Sequence, residues 1–547
     1  MSEIDTDVTV AEEAPMTADG SVKLVPQAEQ LKNPDAAITM EFVSMVSGVT
    51  LENYAYCYQG AGLFDIRRFR LMYWEVEGLT GEWIAHQSSP DASTPFTGMS
   101  FAVRWAGGKG ELAENSPMNG KRIWGQAGVA LAWLGSLPAS LYLGSAFDNS
   151  AAVIVPFDKA HLPAIWAYCS LPEFNRDVRR INQKMQVANA TMVKVPFDLA
   201  HWQKVAAEKY PNGLPEPQSD DPTQWLFHGH PAGRVPLTTD PAAHAGTVLQ
   251  VAVARLVGYR WPAELDEKMR LAPEARSWVE KCKNLDSHAD DDGVIPLVPM
   301  RGEPAAEGRV RDLLRASFGS DWSSAKEATL LAAAAIANGE KSPPANLDDW
   351  LKNRFFAEHC ALFHHRPFVW HIWDGRKKDG FGVLVHYHRL AAPNGEGRRL
   401  LEKITHGYLG DWIARQRDEM KANKAGADAR LAAALDLQKK LEAILAGEPP
   451  FDIFIRWKPL HEQPIGWEPD INDGVRMNIR PFIESGVLRD KVNVKWTKDR
   501  GKEPQAIRPR ADFPWFWSGS TFSGDRMNDV HLCLAEKQRA RDAAGKA

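Results

Sequence analysis

Cysteine is sparse in this chain. Its five residues, Cys57, Cys169, Cys282, Cys360 and Cys533, lie far apart with no CxxC pair, which excludes a disulfide framework or a zinc ribbon and points to reduced thiols in a cytoplasm. No window of about 18 uninterrupted apolar residues occurs, so no membrane-spanning helix is expected. The acidic N-terminus has no apolar stretch of the kind an export signal needs. Neither charge sign dominates: 65 Lys and Arg oppose 70 Asp and Glu, a net −5, so a polyanion contact must come from local basic patches rather than a global field. A Walker A lysine loop, a GxSxG elbow and a PD-(D/E)xK arrangement are also missing. Gly60-Ala61-Gly62 is a lone GxG without a downstream acid in a βαβ setting.

What is present is length and tryptophan. The 547 residues allow roughly three or four domains at 100 to 200 residues each, and most of the 20 tryptophans belong in cores. The pattern predicts an α+β protein: a β-rich domain, then a mainly helical region, then a small C-terminal α/β part. Residues 1–41, acidic, Pro-containing and poor in apolar side chains, read as a disordered tail whose initiating Met suggests an independent gene product. Residues 42–210 form the β-rich domain, with short strands expected at 54–58, 70–76 and 100–105. Residues 211–241 are Pro/Gly/Asp-rich and read as a connector. A helical domain at 242–346 is expected to place helices at 242–259, 275–282, 307–318 and 324–338. Residues 347–446 should hold a hairpin and a long helical pair divided near 423–426, with Leu431, Leu435, Leu441 and Leu445 on one stripe of the second helix. Residues 447–547 close the chain.

The most informative stretch is 161–210. Pro163 suits a helix start, and after Pro172 the residues Phe174, Val178, Ile181 and Met185 recur four, three and four apart, forming one apolar stripe. Arg176, Arg179, Arg180 and Gln183 then fall on the opposite face, beside Lys184. A helix glued down by one stripe with arginines on the other suits a polyanion, and a solvated helix back is the alternative. The β-branched run 191–195 reads as a strand closed by Pro196, and Asp198 is placed to cap a last helix. Two further basic clusters stand out. Arg67, Arg68 and Arg70 lie in FDIRRFRLMYWEVEG at 64–78. Lys121, Arg122 and Trp124 lie in a loop, where they either meet a nucleic-acid backbone or close a turn by cation–π contact. Residues 489–510 carry eight Lys and Arg against three acids.

Residues 162–206, LPAIWAYCSLPEFNRDVRRINQKMQVANATMVKVPFDLAHWQKVA, resemble the end of the target-recognition domain in large N6-adenine DNA methyltransferases of bacterial defence systems, the DISARM-type and type IIG-like enzymes. The same helix, helix, strand, Pro, helix order closes the recognition domains of type I restriction specificity subunits. The resemblance continues through PNGLPEPQSDDPTQWLFHGHP at 211–231 and GWEPDINDGVRMNIRPF at 466–482. The family's TGDN turn stands here as TLEN at 50–53. The resemblance implies that 42–210 is a target-recognition domain for double-stranded DNA. The DNA-binding residues it implies, together with the basic patches, are Arg67, Arg68, Arg70, Lys121, Arg122, Trp124, Arg176, Arg179, Arg180, Gln183 and Lys184.

The family's catalytic features do not accompany the resemblance. An adenine methyltransferase needs a glycine loop for S-adenosylmethionine and an Asn/Asp-Pro-Pro-aromatic turn for the flipped base. Pro343-Pro344 is followed by Ala345, and Pro449-Pro450 sits in Glu-Pro-Pro-Phe. The expectation is therefore no catalytic residue, cofactor or metal on this chain. It would be a cytoplasmic specificity subunit acting with a separate catalytic methyltransferase chain that holds S-adenosylmethionine, and with other defence-system subunits. A non-enzymatic scaffold of a defence complex, a remnant of a truncated gene and a divergent complete methyltransferase are the competing readings. His359, His364, His365, His371, His386 and His388 lack regular zinc-ligand spacing, so Phe368, Trp370 and Ile372 are expected to bury one hairpin face there. Asp470, Asn472 and Asp473 lack the calcium-loop spacing and read as turn and cap chemistry.

Overall fold

The computed structural model of the chain describes residues 26–31, 49–79, 81–117, 119–233 and 241–546. The tail expected at 1–41 lies outside them apart from 26–31, where Gln27–Gln30 makes one helical turn. The α+β reading holds: an early β-sheet region, a long mainly helical middle and small strands near the C-terminus. The chain forms two compact units that interleave in sequence. The first is Met1–Gly62, Gln87–Gly98 and Ser116–Pro215. The second is Leu63–His86, Met99–Asn115 and Glu216–Ala547. This differs from a contiguous domain at 42–210, because two segments inside that range belong to the second unit.

In the first unit, strand Ala55–Gln59 pairs antiparallel with Ala151–Pro156, which pairs with Gly128–Ala132, which pairs with Ala139–Tyr142. Ala130, Val153, Val155, Tyr142, Phe147 and Ile123 bury themselves in one cluster, with Tyr58 and Trp124 packed at its margin. Helix Leu162–Cys169 packs on this sheet and on helix Leu199–Lys209, whose N-terminus is capped by Asp198 accepting from the His201 amide at 3.0 Å, as expected. Between them, helix Pro172–Ile181 starts on Pro172 and buries Phe174, Val178 and Ile181. It ends there because Asn182 is extended and its side chain accepts from the Lys184 amide. Met185 is therefore 80 % exposed rather than part of the stripe. The run at 191–195 is not a strand. Asn189–Val193 is a 3-10 helix, and the extended backbone beside Pro196 makes only an isolated bridge to Thr50. The β-branched side chains Val193 and Val195 are still buried, so packing overrode local preference.

In the second unit, Phe101–Arg104 lies antiparallel between Arg70–Met72 and Trp83–Gln87. The strand expected at 70–76 stops at Met72, and Tyr73–Glu75 turns into a 3-10 helix. Helices Pro241–Leu256, Pro273–Cys282, Ala306–Phe318 and Ser324–Ala337 follow the expected pattern closely. The first and last of them approach so closely that a Cβ on Gly246 would meet Ala337 at 2.4 Å. Val369–Trp373 and Gly382–His386 form the expected hairpin, joined by Val294–Pro296. Both of its faces are buried, Val369 and His371 as well as Trp370 and Ile372, because helix Phe355–Leu362 packs on it. Helices Leu409–Lys421 and Ala427–Ala446 make the expected pair. The buried stripe of the second is Ala434, Leu437, Leu441 and Ile444, and Leu435 is 39 % exposed.

Residues 211–241 are not a solvated connector where they are described. Trp225, Leu226, Phe227, His228 and Pro231 are buried in the second unit. The Pro222 carbonyl accepts from the Tyr73 hydroxyl and from Trp261 Nε1, and the Trp225 amide donates to Met99 O at 2.9 Å. Proline-rich backbone can be buried when its carbonyls find donors in this way.

Candidate functional site

The first unit carries a cleft of about 750 Å³ lined by Cys57, Tyr58, Gln59, Asn119, Gly120, Lys121, Arg122 and Asn189. Its base is the sheet-edge strand Ala55–Gln59. The 3-10 helix Asn189–Val193 packs beside that strand, fixed by Asn189 Nδ2 donating to Cys57 O at 3.2 Å. The loop bearing the cations reaches the strand because residue 120 is glycine. Its φ is +75°, and a Cβ there would lie 2.7 Å from Gln59 O and 2.5 Å from the Phe147 ring. The following turn, Lys121–Ile123, anchors Ile123 in the core and leaves Lys121 and Arg122 exposed. The Arg122 guanidinium sits 4.3 Å from the centroid of Tyr58. Neighbouring Tyr56 and Phe157 are 59 % and 51 % exposed and touch edge to face at 4.4 Å. Among the described residues the lining contains two cations, three side-chain amides and no carboxylate.

The second unit holds a different cavity, of about 530 Å³. Seven cations line it, Arg67, Arg70, Arg366, Arg476, Lys498, Arg500 and Arg526, with four carboxylates, Asp65, Glu75, Asp473 and Asp499. Each carboxylate is already engaged. Asp65 accepts from Arg456 at 2.5 Å and Arg526 at 3.3 Å. Asp499 takes both arms of Arg476 at 3.0 Å. Glu75 accepts from the Met72 and Val475 amides at 2.9 Å, and Asp473 pairs with Lys458 at 2.6 Å. Beneath them the fully buried Arg456 also pairs with the fully buried Glu503. Burial raises the Glu75 carboxyl above its ordinary range and pushes Asp473 up to about 6. Burial opposes the charge of Asp499 too, but hydrogen bonds from Arg476 outweigh it and hold that carboxylate low. Arg67, Arg366 and Arg500 form no ion pair among the described residues.

The residues expected to meet DNA are thus divided. Lys121 and Arg122 line the cleft of the first unit, whereas Trp124 packs against the core. On helix Pro172–Ile181, Arg176 and Arg180 are exposed and lean on Glu173 and Asp177. Arg179 is spent internally, donating to the carbonyls of Gly135 at 2.6 Å, Met185 at 3.4 Å and Lys184. Gln183 and Lys184 lie exposed in the loop after the helix rather than on its face. Arg67 and Arg70 line the cavity of the second unit, whereas Arg68 pairs with Glu111 at 2.6 Å and faces the Trp457 ring. Tyr56, Gln59, Asn119, Phe157 and Asn189 escaped sequence reasoning. The alternation of Tyr56 and Tyr58 on one strand was the available signal for a shared aromatic face.

No protein-family model and no curated protein matches the chain.

The other candidates resolve into packing. His359 is buried with both ring nitrogens used, Nδ1 donating to Gln250 at 3.1 Å and Nε2 accepting from the Val369 amide, and burial pushes its pKa down to about 3. Lys458 occupies the space between Asp470 and Asp473, and Asp470 caps the turn Ile471–Asp473. No group of three or more His, Cys, Asp or Glu among the described residues could hold a metal ion. No helix among them is long and apolar enough to cross a membrane. All five cysteines are free, and burial pushes the Cys57 thiol up, away from reactivity.

Proposed function

We propose that this chain is the DNA-binding specificity part of a site-specific adenine DNA methyltransferase in a bacterial defence system. In this reading it acts with a separate catalytic chain that holds S-adenosylmethionine. The observation that carries the proposal is the cleft of the first unit, with Lys121, Arg122, Gln59, Asn119, Asn189 and Tyr58 around one concave surface. Exposed cations on such a surface can meet backbone phosphates and release counterions. Side-chain amides can read a base edge, since Asn or Gln offers the donor and acceptor that match adenine in the major groove. Exposed Tyr56 and Phe157 supply a face on which an unstacked base can lie. The resemblance of residues 162–206 to the end of a methyltransferase recognition domain supplies the choice of enzyme class.

The test is duplex binding by the full chain as a function of salt. The Lys121→Gln/Arg122→Gln variant should weaken binding at every sequence and reduce the salt slope by about two units. A Gln59→Ala or Asn119→Ala variant should relax sequence preference and leave the slope unchanged. Duplex affinity that is absent at low salt, or indifferent to Lys121 and Arg122, overturns the proposal.

A further inference from the structure

The basic cavity of the second unit has properties that the DNA cleft does not share. Its cations come from three distant stretches of the chain, and the pair Asp65–Arg526 spans 461 positions. Arg476 and Arg526 are buried and held by Asp499 and Asp65, so they form a fixed floor. Lys498 leans on Asp525 at 2.7 Å. Arg70 is engaged with the Phe101 ring, which leaves Arg67, Arg366 and Arg500, three guanidinium groups with no ion pair among the described residues, around a space of about 530 Å³. The same space has an apolar side. Met72 and Phe101 are register partners on neighbouring strands, and the Arg70 guanidinium covers the Phe101 ring at 4.2 Å.

We infer that this cavity is a second binding site, for the phosphate ester of a single nucleotide, with Arg67, Arg366 and Arg500 meeting the phosphate and Phe101, Leu71 and Met72 the base and sugar. The volume lies in the range of small-molecule sites and is far too small for a duplex, whose major groove alone is about 12 Å wide. Guanidinium forks match phosphate oxygens two at a time, and an aromatic ring beside them suits a base. The choice of a nucleotide over other phosphate esters rests on the DNA-binding reading above. The phosphate ester has two sources, a free mononucleotide and one unit of a single strand.

The experiment is calorimetric titration of the full chain with deoxyadenosine monophosphate, deoxyadenosine, inorganic phosphate and an eight-residue oligothymidylate. The monophosphate should bind one to one, deoxyadenosine at least tenfold more weakly, and inorganic phosphate should compete. The Arg67→Gln/Arg500→Gln variant should lose at least tenfold in monophosphate affinity with an unchanged unfolding midpoint, since both side chains are exposed and make no ion pair. Displacement of the monophosphate by the oligothymidylate assigns the site to a strand, and failure to displace it assigns the site to a free nucleotide. Equal binding of deoxyadenosine, no competition by phosphate, or an unaffected double variant overturns the inference. If duplex binding fails while the monophosphate still binds, the DNA-binding reading falls and this site stands. The reverse result removes this site alone.

Discussion

The cleft of the first unit and the cavity of the second both gather cations, but they hold them by different means. Lys121 and Arg122 project from a glycine-set turn into solvent, with an aromatic ring beneath and no acid among the described lining residues. Arg476, Arg526 and Arg456 are buried, and each is matched to carboxylates. A solvated cation needs no counter-charge, whereas a buried one is costly unless it is paired and hydrogen-bonded. The first arrangement is adaptable and sensitive to salt. The second is rigid, and it leaves three further guanidinium groups at its rim for a ligand.

The largest test removes the pairing that defines the second arrangement. Arg456→Met takes the shared cation from the buried carboxylates Asp65 and Glu503, which keep only Arg526 and Arg508, and should cost about 3 kcal/mol of stability by chemical denaturation. Lys121→Met in the first unit should change stability by less than about 0.5 kcal/mol. Equal costs would break the comparison.

A fragment ending at Pro215 tests the division of the chain. It keeps 63–86 and 99–115 but removes their partners, leaving Trp74 and Tyr73, both buried in the full chain, without a core. Such a fragment should aggregate or be cleaved rapidly within 63–86 by trypsin, and a soluble, protease-resistant fragment would show that the units do not interleave as described.

Acidity sharpens the contrast next. Asp473 has its pKa raised to about 6 by burial, facing Lys458, Asp470 and Arg104, and Glu75 is raised also, facing Arg366 and Arg476. As pH falls through 6 Asp473 takes up a proton, the cavity becomes more positive, and binding of the phosphate monoanion there should strengthen by about 1–2 kcal/mol. Because the folded state holds the Asp473 proton more tightly, stability from that group is present below its ordinary value of 3.8 and is lost as pH rises through 6. Among the described residues no acid and no histidine lines the cleft of the first unit, so duplex binding should stay flat between pH 5 and 7. Calorimetry of both ligands across that range checks the pair.

The smallest expected effect separates the arginines of helix Pro172–Ile181. Arg179→Ala removes hydrogen bonds to three backbone carbonyls and should cost about 1 kcal/mol in thermal unfolding. Arg176→Ala and Arg180→Ala should leave stability within about 0.5 kcal/mol. If these two weaken duplex binding and flatten its salt slope, the helix joins the DNA surface.

Local sequence determined the local structure of this protein. The helices of the middle region, the Asp198 cap, the hairpin at Val369–His386 and the α+β order are all set by interactions within a few residues, through apolar spacing, capping side chains and proline placement. Tertiary structure decided the rest. It buried the proline-rich run at 217–233, turned Asn189–Val193 into a 3-10 helix, and threaded 63–86 and 99–115 into the second unit. It also brought Arg67, Arg366 and Arg500 to one cavity. No periodicity reports such a meeting, because nothing near each arginine in sequence records which distant segments will pack beside it. The charges find one another only when the elements that carry them have packed.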